Sequence, residues 1–168
     1  PLLMIRLILR IGLLNTLSAA ALSALVYRWT PVHPLGQFRF LLGVVTLAWL
    51  IVGMNALRKE VFAGDLKVTY GLLFSAGVGL VSAISFGLVA WLLCAWVPGF
   101  WQAYLEDQVR NLEQASGILN ANYSAGTLDK LRREIQAQSP MSLMLRISFF
   151  RFVWHLLAGL WVGIYFRK

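Results

Sequence analysis

The residues best suited to chemistry in this sequence are Arg151 and His155, which stand in the last apolar stretch of the chain. Residues four apart share one face of a helix, and Gly159 and Gly163 continue that face. A charged side chain in such a stretch is costly and usually faces a protein interior or water, so we take Arg151 and His155 as the candidate functional face. A simpler alternative, which the sequence favours, is that Arg151 extends towards the nearby helix end or braces the outer helices.

A cofactor is a second hypothesis for this face, because a histidine can bind haem or relay a proton. A ligating pair needs a second partner, and the other histidine, His33, stands in a separate segment between Pro31 and Pro34. We therefore predict no cofactor and no metal site. Haem or pigment binding stays the third of the functions considered below.

Catalysis and ion transport have no recognisable machinery in the sequence. A Gly-rich phosphate loop, a Ser-His-Asp set, an HExxH motif and paired intramembrane aspartates are all missing. The first three apolar stretches contain no Asp, Glu, Lys or Arg in their cores, so they hold no carboxylate for a proton or a sodium ion. Asn15, Thr16 and Asn55 are interpreted as helix-packing polar residues, and the single Cys94 as a small apolar one. We predict that the chain is not an enzyme.

The composition indicates the class of protein that carries these residues. Apolar and aromatic residues make up 59% of the 168 residues and charged residues 13%, which excludes a soluble domain and a disordered chain. One cysteine excludes an intrachain disulfide. The 15 Lys and Arg against 7 Asp and Glu give +8, but they flank apolar runs and so indicate membrane topology, with no nucleic-acid partner.

Four apolar stretches are long enough to cross a bilayer, which takes roughly 20 residues. The predicted spans are about 7–28, 38–57, 68–97 and 146–166, in a single membrane domain over 1–168. Pro98-Gly99 ends the third span. Residues 98–142 then form a helical insert, with an amphipathic helix over Trp101–Leu119 and a second helix that Thr127 caps. The predicted fold is an all-α integral membrane four-helix bundle with an extracytoplasmic amphipathic helical hairpin between spans 3 and 4.

Lys and Arg beside the span ends predict the orientation. With the N-terminus inside, the outer short loop carries only Arg28 and Arg39. The inner side then carries Arg6, Arg10, Arg58, Lys59, Lys67, Arg167 and Lys168. The positive-inside rule therefore places both termini in the cytoplasm, although Arg146 and Arg151, near the outer end of the fourth span, run against it.

Small residues recur at steps of four along the third span: Gly71, Ser75, Gly79, Ala83 and Gly87. Such a stripe lets another backbone approach closely, which matters in lipid because close packing must supply the attraction. Gly159 and Gly163 form a similar pair on the fourth span, and Ala20 and Ala24 on the first. We predict helix-packing seams within the bundle, with contacts between copies of the chain as the alternative.

Several segments taken in order carry a family resemblance. They are Gly53-Met54-Asn55-Ala56-Leu57-Arg58-Lys59, the stretch from Gly64-Asp65 to Gly71-Leu72, Pro98-Gly99-Phe100 with Tyr104, and the closing Arg167-Lys168. This order resembles a family of small bacterial four-span membrane proteins, domain of unknown function 4199. The resemblance implies an inner-membrane location and the same four-helix plan, and it transfers no catalytic residue.

These observations predict a non-enzymatic structural or accessory subunit of the bacterial inner membrane. Its expected partners are the lipid bilayer and either another protein or a second copy of the chain, met through the outer hairpin or the small-residue seams. A small transporter or channel component is the alternative, favoured if a wet cavity reaches Arg151 and His155. A haem- or pigment-binding membrane subunit is the third hypothesis.

Overall fold

The computed structural model describes residues 2–30, 33–36, 39–116 and 126–166. Within these ranges the chain forms six α-helices and no strand. They are α1 (Leu2–Trp29), α2 (Arg39–Glu60), α3 (Val68–Trp96), α4 (Phe100–Gln114), α5 (Thr127–Gln136) and α6 (Pro140–Tyr165). Four of them, α1, α2, α3 and α6, are long and apolar enough to cross a membrane. The all-α prediction is confirmed, with a bundle of four membrane-capable helices.

Helix α6 begins at Pro140, six residues before the predicted span 146–166. Ser139 caps it: the Ser139 hydroxyl accepts from the Ser142 backbone N–H at 3.2 Å, and the Ser142 hydroxyl accepts from the Ser139 N–H at 3.1 Å. Proline suits the first helical position because the helix needs no N–H there. The helical insert predicted over 98–142 therefore ends before Pro140.

The two insert helices differ from the prediction at their ends. Gly99, with φ +76°, makes the turn that separates α3 from α4, as expected for the Pro98-Gly99 pair. Helix α4 ends at Gln114, and Leu119 lies outside the described residues. The cap position of α5 is held by Gly126, so Thr127 is the first helical residue and the predicted Thr127 cap is wrong.

Helix α3 packs against both α1 and α6. Buried apolar residues form two separate cores along the bundle. The core at the end that carries the chain termini includes Leu50, Met54, Phe74 and Val78. The core at the insert end includes Leu35, Phe86, Phe100, Tyr104 and Leu143. Buried polar residues lie between these two cores, and they form the candidate site described below.

Small residues line the seam between α3 and α6. A Cβ added to Gly79 would lie 2.7 Å from the Cβ of His155, and one added to Gly159 would collide with the Ser75 side chain. A Cβ on Gly71 would lie 3.4 Å from the Cα of Gly163. The stripe on α3 and the pair on α6 therefore face each other within one chain.

The seam of α1 differs from the predicted Ala20-Ala24 pair. Ala24 is exposed, whereas Gly12, Ala19 and Ser23 are buried. A Cβ on Gly12 would lie 2.7 Å from a Val81 methyl group of α3. Both patterns repeat at helical spacing, and the tertiary packing selects the face that carries Gly12.

Candidate functional site

Polar side chains from all four long helices meet between the two apolar cores, near the middle of the helices. We call them the central polar cluster: Asn15 of α1, Thr46 of α2, Ser82 of α3, and Arg151 and His155 of α6. Their exposed fractions lie between 0% and 8%. Groups this buried need hydrogen-bond partners inside the protein, because lipid supplies none.

Arg151 makes three contacts within the bundle. Its Nε donates to the Ser82 hydroxyl at 2.8 Å, and its Nη2 donates to the Asn15 side-chain oxygen at 3.2 Å. Its guanidinium carbon lies 4.5 Å from the centre of the Phe86 ring, a cation–π arrangement. None of these partners is a carboxylate. The cation is therefore held by neutral dipoles and an aromatic face.

His155 closes a ring of hydrogen bonds with the same partners. Its Nδ1 lies 2.7 Å from the Arg151 carbonyl oxygen, which can only accept, so Nδ1 carries the proton. Its Nε2 then accepts from the Asn15 amide nitrogen at 2.8 Å. The same amide nitrogen lies 3.3 Å from the Ser82 hydroxyl and 3.5 Å from the Thr46 hydroxyl. Asn15 therefore connects Arg151 with His155.

The structure brings Arg151 and His155 together on one buried face, and extension of Arg151 towards the helix end is wrong. The sequence placed the span start near residue 146, about one turn from Arg151. Because α6 begins at Pro140, Arg151 lies about 16 Å along the helix from its first residue, at about 1.5 Å per residue. Its side chain contacts α1 and α3 instead of reaching the helix end.

Sequence reasoning missed the role of Asn15, Thr46 and Ser82, which it treated as ordinary packing residues or did not single out. Their signal was present: each is a polar residue near the middle of an otherwise apolar helix. What the sequence lacked was the rotation of each helix, which decides whether a polar residue faces its neighbours. Asn55, also polar, lies exposed on α2.

The hydrogen bonds of His155 determine whether it is free to bind a cofactor metal. Both ring nitrogens of His155 are engaged, one by Arg151 and one by Asn15, so metal ligation would require breaking one of these contacts. Over the described ranges, no three His, Cys, Asp or Glu side chains group as metal ligands. His33 lies elsewhere, packed on Phe100 and Tyr104 with ring centres 4.5 and 5.4 Å away.

A second polar site surrounds His33 where the α1–α2 loop meets α4. We call it the interface cavity. It has a volume of about 100 Å³ and is lined by Tyr27, Thr30, His33, Ala103, Glu106, Asp107 and Arg110. Burial lowers the pKa of His33 to about 4, although the neighbouring Asp107 carboxylate opposes that effect. His33 is therefore neutral at pH 7.

A wider groove lies between α4 and α5. It has a volume of about 370 Å³ and is lined by Gln102, Leu105, Glu106, Val109, Arg110, Glu113 and Gln136. An ion pair between Arg132 of α5 and Glu113 of α4 connects the two helices. On α5, Leu128, Leu131 and Ile135 are half-buried. We call this feature the insert groove.

The chain has four apolar helices with a helical insert between the third and the fourth. Comparison with known families adds one match. The family model described as "Protein of unknown function (DUF4199)" matches residues 10–168. The chain belongs to the DUF4199 family. No curated protein and no solved structure matches it. Membership in DUF4199 assigns no activity.

Proposed function

We propose that this DUF4199 chain is a non-enzymatic accessory subunit of the bacterial inner membrane, with both termini in the cytoplasm and the α4–α5 insert outside. The observation that carries the proposal is the closed hydrogen-bond ring of the central polar cluster. Its polar groups bond to each other across α1, α3 and α6. Such a ring supports a fixed arrangement of helices that presents the insert.

The insert groove is the surface that we assign to a partner protein. Leu105 and Val109 give it an apolar floor, while Glu106, Arg110 and Glu113 supply charges of both signs at its edge. An apolar centre with a polar rim is the usual composition of a protein interface. On the other side of α4, buried Phe100 and Tyr104 fix the helix to the bundle. The groove is therefore presented on a supported helix.

A native pull-down from gently solubilised membranes tests this role. We expect a protein partner in constant proportion to the wild-type chain, and its loss with Val109→Glu. The matched control is Gln114→Glu, which places the same charge at an exposed position of α4 outside the groove. Recovery of the chain alone, or equal capture by both variants, would contradict the accessory role.

Anion transport is the second candidate, and Arg151 is the observation that favours it. A buried arginine in a membrane-crossing helix usually marks a substrate or ion path, and here none of its contacts is a carboxylate. An anion that entered the bundle would find an uncompensated cation. The two cavities described above are lined by residues of the insert, of the end of α1 and of the loop after it, so transport would also require the helices to separate.

Anion flux into proteoliposomes distinguishes this candidate. If the chain transports an anion, Arg151→Ala abolishes flux while Arg146→Ala retains it, because Arg146 bonds Tyr104 and Gln138 outside the cluster. Flux that equals the rate in empty liposomes would rule this candidate out.

A further inference from the structure

Helix α1 carries two arginines on the side that faces away from the rest of the bundle. Arg6 and Arg10 are one helical turn apart, and both are exposed. Leu3, Leu13 and Leu17 lie along the same side of the helix, and each is at least half exposed. We call these five residues the arginine face. In a membrane this face meets lipid or another protein.

The arginine face reaches the depth of the hydrocarbon. The Asn15 amide contacts the hydroxyls of Ser82 and Thr46, which places these three residues at one level of the bundle. Measured from that level towards the chain termini, at about 1.5 Å per residue, Arg58 of α2 is about 18 Å away and Arg10 only about 7.5 Å. Basic residues at the ends of spans mark the headgroup region, as Arg58 does here. Arg10 therefore begins about 10 Å inside that region, among the acyl chains.

Neither arginine of this face has a partner among the residues that the structure describes. Arg6 and Arg10 form no hydrogen bond and no ion pair there, whereas the buried Arg151 bonds Ser82 and Asn15. A guanidinium in hydrocarbon is costly unless another polar group meets it. Arg6 can extend its side chain to the headgroups, but Arg10 starts one turn deeper. A polar group from outside the chain is therefore expected at Arg10.

A second copy of the chain does not supply that group. The first acidic residue of the sequence is Glu60, the last residue of α2, and α1, α3 and α6 contain no Asp or Glu. Two copies joined through this face would also bring like charges together. A lipid phosphate fits Arg6 better than Arg10, because headgroups lie outside the depth of Arg10. The group that fits is an acidic side chain on another membrane-crossing helix, since a carboxylate accepts paired hydrogen bonds from a guanidinium.

We propose that the arginine face binds a transmembrane helix of a different protein, through an Asp or Glu of that helix at the depth of Arg10. Arg6 and Arg10 hold the carboxylate, and Leu13 and Leu17 pack against apolar side chains of the partner helix. The inference goes beyond the accessory role proposed above, because the contact lies within the membrane and shares no residue with the insert groove. The assay below therefore succeeds or fails independently of the native pull-down.

Association with a designed transmembrane helix, in vesicles of phosphatidylcholine, tests the proposal. The probe is a peptide of about 20 leucines and alanines with a fluorescence acceptor and a single glutamate about five residues from its centre. The full-length chain carries the donor at Lys59→Cys in a Cys94→Ser background. We expect the glutamate probe to associate about tenfold more tightly than the same peptide with glutamine, the factor expected from one charge-assisted contact. Equal association of the two peptides would overturn the proposal.

Two double variants and one lipid complete the experiment. Arg6→Gln with Arg10→Gln is expected to remove the preference for the glutamate probe. Lys130→Gln with Arg133→Gln, which removes the same charge from exposed positions of α5, is expected to retain it. A preference that survives the loss of both arginines of α1 would overturn the proposal. Phosphatidylglycerol in the vesicles is expected to leave the preference unchanged, and loss of the preference in this anionic lipid would overturn the proposal in favour of headgroup binding.

Discussion

At the scale of single residues, Asn15 determines how the buried charge is accommodated. Its carbonyl oxygen accepts from Arg151 and its amide nitrogen donates to His155, so one side chain satisfies groups of opposite hydrogen-bonding character. An apolar residue cannot replace either contact. A leucine at this position would leave a cation with one acceptor fewer and an imidazole without a donor, in a part of the bundle that is buried from solvent.

We expect Asn15→Leu to lower the free energy of unfolding by roughly 3 kcal/mol, because it leaves a buried charge incompletely bonded. In an Arg151→Met background the same change is expected to cost at least about 1 kcal/mol less, since no cation remains to be satisfied. Unfolding in mixed micelles of dodecyl sulfate and dodecyl maltoside, followed by circular dichroism, measures both values.

The control for this cycle is Asn55→Leu, which makes the same substitution at an exposed position of α2. We expect it to change the free energy of unfolding by less than about 0.5 kcal/mol. If the changes in unfolding free energy caused by Asn15→Leu and Arg151→Met were strictly additive, the two side chains would not interact.

His33 is expected to make the loop packing sensitive to pH. Its pKa falls from an ordinary value of 6.5 to about 4 in the folded chain because of burial, so the unfolded chain takes up a proton more readily. The neutral, buried ring contributes a stabilisation of roughly 3 kcal/mol that is complete above pH 6.5. This contribution is lost as the pH falls from 6.5 towards 4. An NMR titration in dodecyl maltoside should give a His33 midpoint near 4. His33→Gln, which lacks the resonance, identifies it, and a midpoint near 6.5 would refute the prediction.

At the scale of helices, close packing between α3 and α6 depends on glycines, which have no side chain to keep the two backbones apart. Gly79 and Gly159 are positions at which one added methyl group meets a neighbouring side chain at once. Gly163 is one turn further along α6 than Gly159, and a Cβ there would have no atom nearer than 3.9 Å. The two glycines of the predicted pair therefore differ: position 163 has room for a methyl group, whereas position 159 has none.

We expect Gly159→Ala to destabilise the chain by about 1–3 kcal/mol, since the new methyl group collides with Ser75 and pushes α6 away from α3. Gly163→Ala is its matched control and is expected to be neutral or slightly stabilising, because alanine favours a helix. The same detergent unfolding assay compares them. Equal losses for the two variants would mean that the seam is not packed as described.

At the scale of the whole molecule, two apolar cores enclose a polar layer. Phe74 and Val78 lie in one core and Phe86 in the other, with Ser82 of the same helix between them. Apolar packing alone permits helices to slide and rotate, whereas the polar layer accepts few arrangements because each donor needs its acceptor. The layer thus fixes the relative position of the helices, and with it the position of the insert.

Orientation in the membrane is a property of the whole chain, and cysteine labelling measures it. In a Cys94→Ser background, we expect Lys130→Cys on α5 to react with an impermeant maleimide in intact cells. Lys59→Cys, at the end of α2, is expected to react only after permeabilisation, because Lys and Arg near the span ends favour the cytoplasm. The reverse pattern of labelling would place the insert inside.

Much of the fold follows from the sequence because the long helices follow from composition. A bilayer requires about 20 apolar residues per crossing and satisfies no backbone group, so four apolar stretches imply four helices whatever their contacts. The turn at Pro98-Gly99 and the family resemblance were also readable from the residues, and both agree with the findings. Arg151 and His155 were recognisable as unusual because ionisable side chains are rare in such stretches.

The partners of these two residues were decided only by the tertiary structure. Helical periodicity places Arg151 and His155 on one face but does not state which residues of α1 and α3 that face meets. Helix rotation and depth, fixed by close packing at Gly79, Gly159 and Gly12, bring Asn15 and Ser82 to Arg151 and leave Asn55 and Ala24 exposed. A period of 3.6 residues is a local property of the chain, whereas a hydrogen bond between residues 15 and 151 depends on every helix that lies between them.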